Sequence, residues 1–411
     1  MCKYSAEEMD MSVKKSVNVL KYPGQYINCF LKDGKLSPGY DASPITGACP
    51  PYLVSAVFSK VCNMYFIAGD EEFYAFKGGE NFTTYPDFDC YNPFLIEDCV
   101  RGENKAIYIT GPHAAVYNGR GFDRYVLKTF LRCGVLHCGR LFGANEYTLK
   151  WSGPNGFNDW SEGLNGSGQL QLDPARGKVL NMLEFGGKLI AVREYGLTVL
   201  NMYGAPENFS VEITDTDSCD RAFQNTACII EDKLYFFTES GLKYFDGSKI
   251  TPVKLQHTVT SAYGAVAYGG RYFAACYSEK LRRNLVLCVD VESSTSCLIF
   301  EATDAIFIEN GIHLMDPRSH RKLYPNGRFS FESKAIDFDT DRYKTVTEIK
   351  VPCEGDMKVG ISNGRHLKVY NVSQGHNIIR PHMRGKSFTV TLEGNGELKD
   401  VTITAEVTDG V

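Results

Sequence analysis

GKLIAVREYGLTVL at residues 187–200 and DKLYFFTESGLKYFDG at 232–247 follow one plan: a small or acidic residue, a lysine, an apolar run, a polar turn and a second apolar run. Two short apolar runs around such a turn predict a β-hairpin. The plan recurs more loosely as NMYFIAGDEEFYAF at 63–76, KAIYITGPHAAVYN at 105–118, GRLFGANEYTLKWS at 139–152, GRYFAACY at 270–277 with NLVLCVD at 284–290, and DAIFIENGIHLMD at 304–316. Matching one apolar position in each copy aligns Tyr65, Ile107, Leu141, Leu189, Leu234, Tyr272 and Ile306, spaced about 40 residues apart on average, which is the period of a β-propeller blade.

The composition agrees with many strands joined by turns. Of 411 residues, 39 are Gly, 24 Tyr and 25 Phe, an excess of turn formers and of residues that favour strands. A chain that is 43% hydrophobic and 23% charged is neither disordered nor collagen-like. Its length exceeds the roughly 150 residues of one ordinary domain. The expected fold is therefore all-β: a six- or seven-bladed propeller over residues 45–328, followed by a small antiparallel β-sandwich over 329–411. Radial closure suits so many strands because it leaves few open edges. Residues 1–44 are expected to form an N-terminal arm, in which VNVL at 17–20 and QYINCFL at 25–31 add a strand to the ring or pack on a face.

The sandwich expectation rests on a change of texture after Arg328. Phe388, Val390 and Leu392 alternate with polar residues, and after EGNGELKD so do Val401, Ile403, Ala405 and Val407. Ile349 and Val351, then Met357, Val359 and Ile361, then Leu367 and Val369 fit the same two-residue period of a half-buried strand.

A net charge of -5 argues against a general nucleic-acid binder but leaves room for a local basic patch. No run reaches the ~18 apolar residues of a membrane span, and the acidic start MCKYSAEEMD does not suit a signal peptide. Synthesis and folding in the cytoplasm are expected. The 14 cysteines lack any Cys-x-x-Cys pair, and several sit in apolar strands, as Cys276 and Cys288 do, so buried reduced thiols are expected in place of a zinc site or a disulfide framework.

No nucleophile elbow, P-loop, His-Glu-x-x-His or dinucleotide fingerprint occurs, so no enzymatic activity and no cofactor are expected. Four local features remain. In WSGPNGFNDW at 151–160, Ser152, Asn155, Gly156 and Trp160 are similar to the Asp-box turn of sialidase-like propellers, with Asn155 where that box has Asp. Such a turn is structural, its Trp a staple. In DFDTDRYKTVTE at 337–348, Asp337, Asp339, Asp341 and Glu348 have the spacing of an EF-hand calcium loop, but Arg342 replaces the glycine of its sharp turn, so no metal is expected. Arg282 and Arg283 lie at a hairpin tip, where they either meet solvent or contact an acidic partner. Arg380, Arg384 and Lys386, with His382, crowd IIRPHMRGKSF at 378–388, a charged strand edge. His113, His137 and His313 are too scattered to group as metal ligands.

GKSFTVTLEGNGELKDVTITAEV at 385–407, preceded by a Gly-rich body that includes RLFGANEYTLKWSGPNGFNDW at 140–160, resembles bacteriophage tail structural proteins in which a propeller precedes a sandwich, the tail nozzle or tail hub type. The resemblance implies a non-enzymatic virion component assembled in the bacterial cytoplasm. It also implies a ring homo-oligomer, hexameric by expectation, that contacts portal, adaptor or other tail proteins and passes genomic DNA as cargo without membrane insertion. A glycan-binding or sialidase-like propeller recognising a host surface is the alternative, and a docking scaffold a third reading.

Overall fold

The computed structural model describes residues 13–45, 55–69, 72–77, 83–86, 92–100, 103–154, 156–163, 166–212, 220–255, 257 and 259–407. Among the described residues, seven small antiparallel sheets follow one another along the chain and constitute the blades of a propeller. Blade 1 comprises Ser55–Ser59, Met64–Ala68, Glu72–Phe76 and Thr83–Pro86. Blade 2 comprises, among the described residues, Phe94–Val100, Glu103–Tyr117 and Phe122–Leu131. Blade 3 comprises Cys133–His137, Arg140–Asn145, Thr148–Trp151 and Gly168–Gln171. Blade 4 comprises Val179–Phe185, Lys188–Arg193, Leu197–Asn201 and Ser210–Glu212. Blade 5 comprises Cys228–Ile230, Lys233–Thr238, Gly241–Phe245 and Ile250–Pro252. Blade 6 comprises Ser261–Tyr268, Arg271–Ser278, Arg283–Asp290 and Thr295–Ile299. Blade 7 comprises Ala305–Ile308, Ile312–Asp316 and Ser319–Pro325, with Tyr40–Pro44 as its fourth strand.

The turns explain part of the glycine excess. Phe185 pairs with Lys188 across Gly186 and Gly187, whose φ angles of 60° and 75° both lie in the left-handed region that a two-residue type I′ turn requires. Gly269 and Gly270 repeat the device between Tyr268 and Arg271.

The aromatics fill the spaces between blades. Phe66 and Phe73 of blade 1 pack with Tyr108 and Ala115 of blade 2, Phe142 and Trp151 of blade 3 with Leu189 and Leu200 of blade 4, and Val199 of blade 4 with Leu234 and Phe236 of blade 5. Tyr65, Ile67 and Phe76 of blade 1 share a cluster with Ala305, Phe307 and Met315 of blade 7, so the last blade meets the first. A middle strand of a blade is covered on both faces by its neighbours. Its residues are therefore buried consecutively, as in Leu189 to Arg193 and Leu234 to Thr238, and read as solid apolar runs.

One alignment made from sequence is corrected. The second residue of the second strand is Tyr65, Leu141, Leu189, Leu234 and Tyr272 in blades 1, 3, 4, 5 and 6, but Ile306 lies in the first strand of blade 7. The equivalent position there is His313. A polar residue at that site hid the register.

The remaining described strands form two sheets. Pro23–Ile27, Phe329–Ser333, Thr389–Gly394, Met357–Ser362 and Leu367–Val372 make one of five strands. Val13–Asn18, Thr402–Val407, Lys344–Cys353, Leu398–Lys399, Lys35–Pro38 and Cys29–Lys32 follow in order in the other, with Gly375–Ile379 and Met383–Gly385 also pairing with Lys344–Cys353. Their inward residues, including Val351, Val359, Ile361, Val390, Leu392, Val401 and Ile403, form one core. Leu367 and Val369 depart from the sequence reading: they are 64% and 58% exposed, because this edge strand turns Tyr370 and Val372 inward instead.

By contacts, the chain divides into a unit holding the described residues through Asp41, Thr295–Phe300 and those from Tyr324 onward, and a second holding Ala42–Ser294 and Glu301–Leu323. The expected boundaries shift accordingly. Residues 13–38 are not an arm but four strands and a short turn of the sandwich unit, and only Tyr40–Pro44 enters a blade.

Candidate functional site

The buried polar side chains serve largely to hold backbone and neighbouring blades. At the junction of blades 1 and 7, the Tyr65 hydroxyl donates to Glu309 Oε2. His313 Nε2 lies 3.2 Å from the same oxygen, and His313 Nδ1 lies 3.0 Å from His320 Nε2. One proton arrangement fits the histidine pair: His320 Nε2–H donates to the bare His313 Nδ1 with both rings neutral, while the His313 Nε2 proton lies near Glu309 without a hydrogen bond to it. Phe307 stacks on His313 at 5.2 Å. At 1% and 4% exposure, His313 and His320 are sealed from any substrate. The cluster is a polar fastener between the blades.

Burial, followed by Lys322, lowers His313 from 6.5 to about 4, and burial, followed by His313, lowers His320 to about 4. The unfolded chain thus binds more protons than the folded one between these values. Stability is complete above pH 6.5 and falls as the pH drops toward 4. The first proton is expected to cost about 3 kcal/mol. Urea unfolding at a series of pH values checks this: His313→Leu, which installs the residue of blades 3, 4 and 5, should flatten the slope, and an unchanged slope would refute the assignment.

The Asp-box-like turn is held by its serine. Ser152 is fully buried, accepts from Leu141 N at 2.9 Å and donates to Gly153 O at 3.0 Å. Gly156 lies beside Asp98, whose Oδ2 accepts from Phe157 N at 3.2 Å. Trp160 packs partly buried against the cluster shared by blades 2 and 3 and also lines a polar cleft. Asn155 falls outside the described residues.

The calcium candidates do not converge: among the described residues no group of three or more His, Cys, Asp or Glu side chains could hold a metal. The loop carries a cation of its own instead. Lys344 is fully buried and its ammonium donates to the carbonyls of Asp337 at 2.7 Å, Thr340 at 2.7 Å and Lys386. Lys15 Nζ reaches Phe338 O of the same loop at 2.8 Å. Asp337 turns its carboxylate to Asp339 N at 3.0 Å, Asp341 is exposed, and Glu348 pairs with Lys350 at 3.5 Å on the following strand.

The basic candidates separate. Arg282 and Arg283 are exposed at the tip of a blade 6 hairpin, and Arg380 is exposed between two strands of the sandwich unit. Arg384 and Lys386 help to form a cleft. Both approach the Tyr343 ring, each 5.5 Å from its centre, and Arg365 and Lys368 of the neighbouring hairpin line the same cleft of about 790 Å³. Sequence reading missed Arg365 and Lys368, and also Lys344 and the Tyr65–Glu309–His313–His320 chain. The lack of any acidic residue around Arg365 and Lys368 was the signal that could have found the first two.

Cys133, Cys228 and Cys276 are buried, and burial pushes each thiol up to about 12. They pack as small apolar groups. No helix among the described residues is long and apolar enough to cross a membrane.

No family model matches this sequence, and no curated protein matches it. Solved structures do resemble the fold. The WD40 domain of Pan2 from Neurospora crassa is 10% identical, with a TM-score of 0.50 over 70% of this chain and 96% of that one. The extracellular domain of a two component system from B. thetaiotaomicron is 12% identical, with a TM-score of 0.49 over 83% of this chain and 47% of that one. At such identity the likeness to the WD40 domain shows the β-propeller fold alone.

Proposed function

We propose that this chain is a non-enzymatic structural subunit of a phage-like tail, of the nozzle or hub type, that assembles as a ring around a DNA channel. The observation that carries the reading is the pairing of a seven-bladed propeller with a separate two-sheet unit in one chain, the two kinds of module combined in the tail proteins that the sequence resembles. The use of buried polar groups supports it. Arg193 is fully buried and donates to Asp173 O at 2.8 Å and Gly177 O at 3.0 Å, and Arg140 donates to Ser152 O at 2.8 Å and Gly166 O at 3.1 Å. These cations brace loops, as Lys344 does, which suits a rigid building block whose faces and loops make subunit contacts. Portal, adaptor or other tail proteins would be its partners, and DNA its transiting cargo.

Mass photometry and negative-stain microscopy test this. Rings, hexameric by expectation, should appear alone or with tail components, and a strict monomer at high concentration under both conditions would sink the reading. One observation favours a glycan-binding propeller as the second reading: Trp160 walls a polar cleft of about 790 Å³ that also presents Lys128, Lys150, Glu162 and Gln169. Binding on a glycan array that Trp160→Ala removes would support that reading over the first.

A further inference from the structure

The charge of the chain is unevenly distributed. From Met357 to Leu392 the sequence contains Lys358, Arg365, Lys368, Arg380, Arg384 and Lys386 and no Asp or Glu, within a protein of net charge -5. The fold gathers four of these cations into one cleft of the sandwich unit, lined by Tyr343, Asn363, Arg365, Lys368, Arg384 and Lys386 among others, and no carboxylate lines it. None of the four has an ion-pair partner among the described residues. All four are exposed.

The cleft is also held in shape. Asn363 Oδ1 accepts from Arg365 N at 3.0 Å and His366 N at 2.8 Å, and its Nδ2 donates to Arg384 O at 2.8 Å, which ties the hairpin to the strand Met383–Gly385. Lys368 Nζ donates to Pro381 O at 2.7 Å, and the buried Lys344 fixes the carbonyl of Lys386 from behind. Arg384 and Lys386 lie two residues apart, so their side chains leave the same side of an extended chain about 7 Å from one another, comparable with successive phosphates of a stretched nucleic-acid strand. Arg guanidinium groups present a planar fork that matches phosphate oxygens in pairs. Tyr343, 50% exposed, supplies an aromatic surface beside them, the combination found in channels for nucleic-acid strands.

We propose that this cleft binds a phosphodiester strand, contacting three or four consecutive phosphates through Arg365, Lys368, Arg384 and Lys386. The inference stands on the cleft alone and does not depend on the tail reading, so either can fail without the other. An acidic peptide would use the same charge and forks but would bring no base to stack on the aromatic surface.

The test is fluorescence anisotropy of the full chain with a labelled 12-nucleotide oligothymidylate over a salt series. With about four phosphates contacted, log K should fall with log salt at a slope of roughly -3. The double variant R384Q/K386Q should bind at least about 10-fold more weakly and reduce the slope by about 1.4. R282Q/R283Q, at the blade 6 hairpin tip and outside the residues that line the cleft, should change neither. Because the altered residues are exposed, an unchanged circular dichroism melt establishes that each variant is folded. A 12-base-pair duplex that binds with the same dependence on Arg384 and Lys386 also supports a phosphodiester site. No binding at 20 mM salt, a slope insensitive to R384Q/K386Q, equal affinity for oligoglutamate, or equal affinity for inorganic triphosphate would each overturn it.

Discussion

Deleting residues 1–45 is expected to abolish the cooperative melt of the sandwich unit, although these residues are less than an eighth of the chain. Val13–Asn18 pairs in register with Thr402–Val407, and Cys29–Lys32 and Lys35–Pro38 form one end of the same sheet. Val19, Leu20, Leu31 and Leu36 are buried in the sandwich core. Each such side chain contributes about 1.5–3 kcal/mol through burial. Four of them together rival the roughly 5–15 kcal/mol that holds a typical domain folded. The deletion also removes Tyr40–Pro44, the fourth strand of blade 7, and with it the bond from Ile45 N to His320 O of 2.7 Å. A second truncation, lacking only residues 1–39, separates the two effects. It should disrupt the sandwich while sparing blade 7, and calorimetry should show a surviving propeller transition that the longer deletion weakens. A melting temperature unchanged by removal of residues 1–45 would refute both roles.

Lys344→Met is expected to destabilise the sandwich unit by about 3–5 kcal/mol, an unusually large effect for one surface-loop anchor. The substitution keeps the length and apolar stem of the side chain, so packing is largely retained. What it removes is the ammonium on which the carbonyls of Asp337, Thr340 and Lys386 converge. Burial, opposed by Asp337 and Asp341, holds the Lys344 pKa below its ordinary value, yet the carbonyl cradle keeps a cation at the loop's centre. Calcium should accordingly leave the melting temperature of the wild type unchanged. Chemical denaturation of both proteins provides the measurement, and a loss below about 1 kcal/mol would mean that water replaces the ammonium without penalty.

The cradle shows why a loop can read as a metal site and not be one. Asp337, Asp339, Asp341 and Glu348 have calcium-loop spacing, but spacing does not say which way a carboxylate turns. Here Asp337 caps its own turn, and a lysine seven residues along reaches back to fill the centre. The basic cleft was half legible for a related reason. Arg384 and Lys386 stand out as a local run, whereas Arg365 and Lys368 join them only because the hairpin at Asn363 is tied to Arg384.

His313 is the opposite case: it was visible as a residue and invisible as a partner. Tyr65 and Glu309 are 244 residues apart in the chain, and only the meeting of blade 7 with blade 1 brings a tyrosine, a glutamate and two histidines into line.

The sequence by itself determined the all-β character, the repeated hairpins of about 40 residues and the change to strict alternation after Arg328, because burial on one or two faces of a strand writes its period into neighbouring residues. Tertiary structure alone decided that Val13–Asn18 belongs beside Thr402–Val407, that Tyr40–Pro44 completes blade 7, and that Lys344 rather than a metal fills its loop. The last rests on backbone carbonyls that accept from a side chain, and the first two on backbone hydrogen bonds between distant segments. Such bonds use the same donors and acceptors at every residue and so leave no local mark in the sequence.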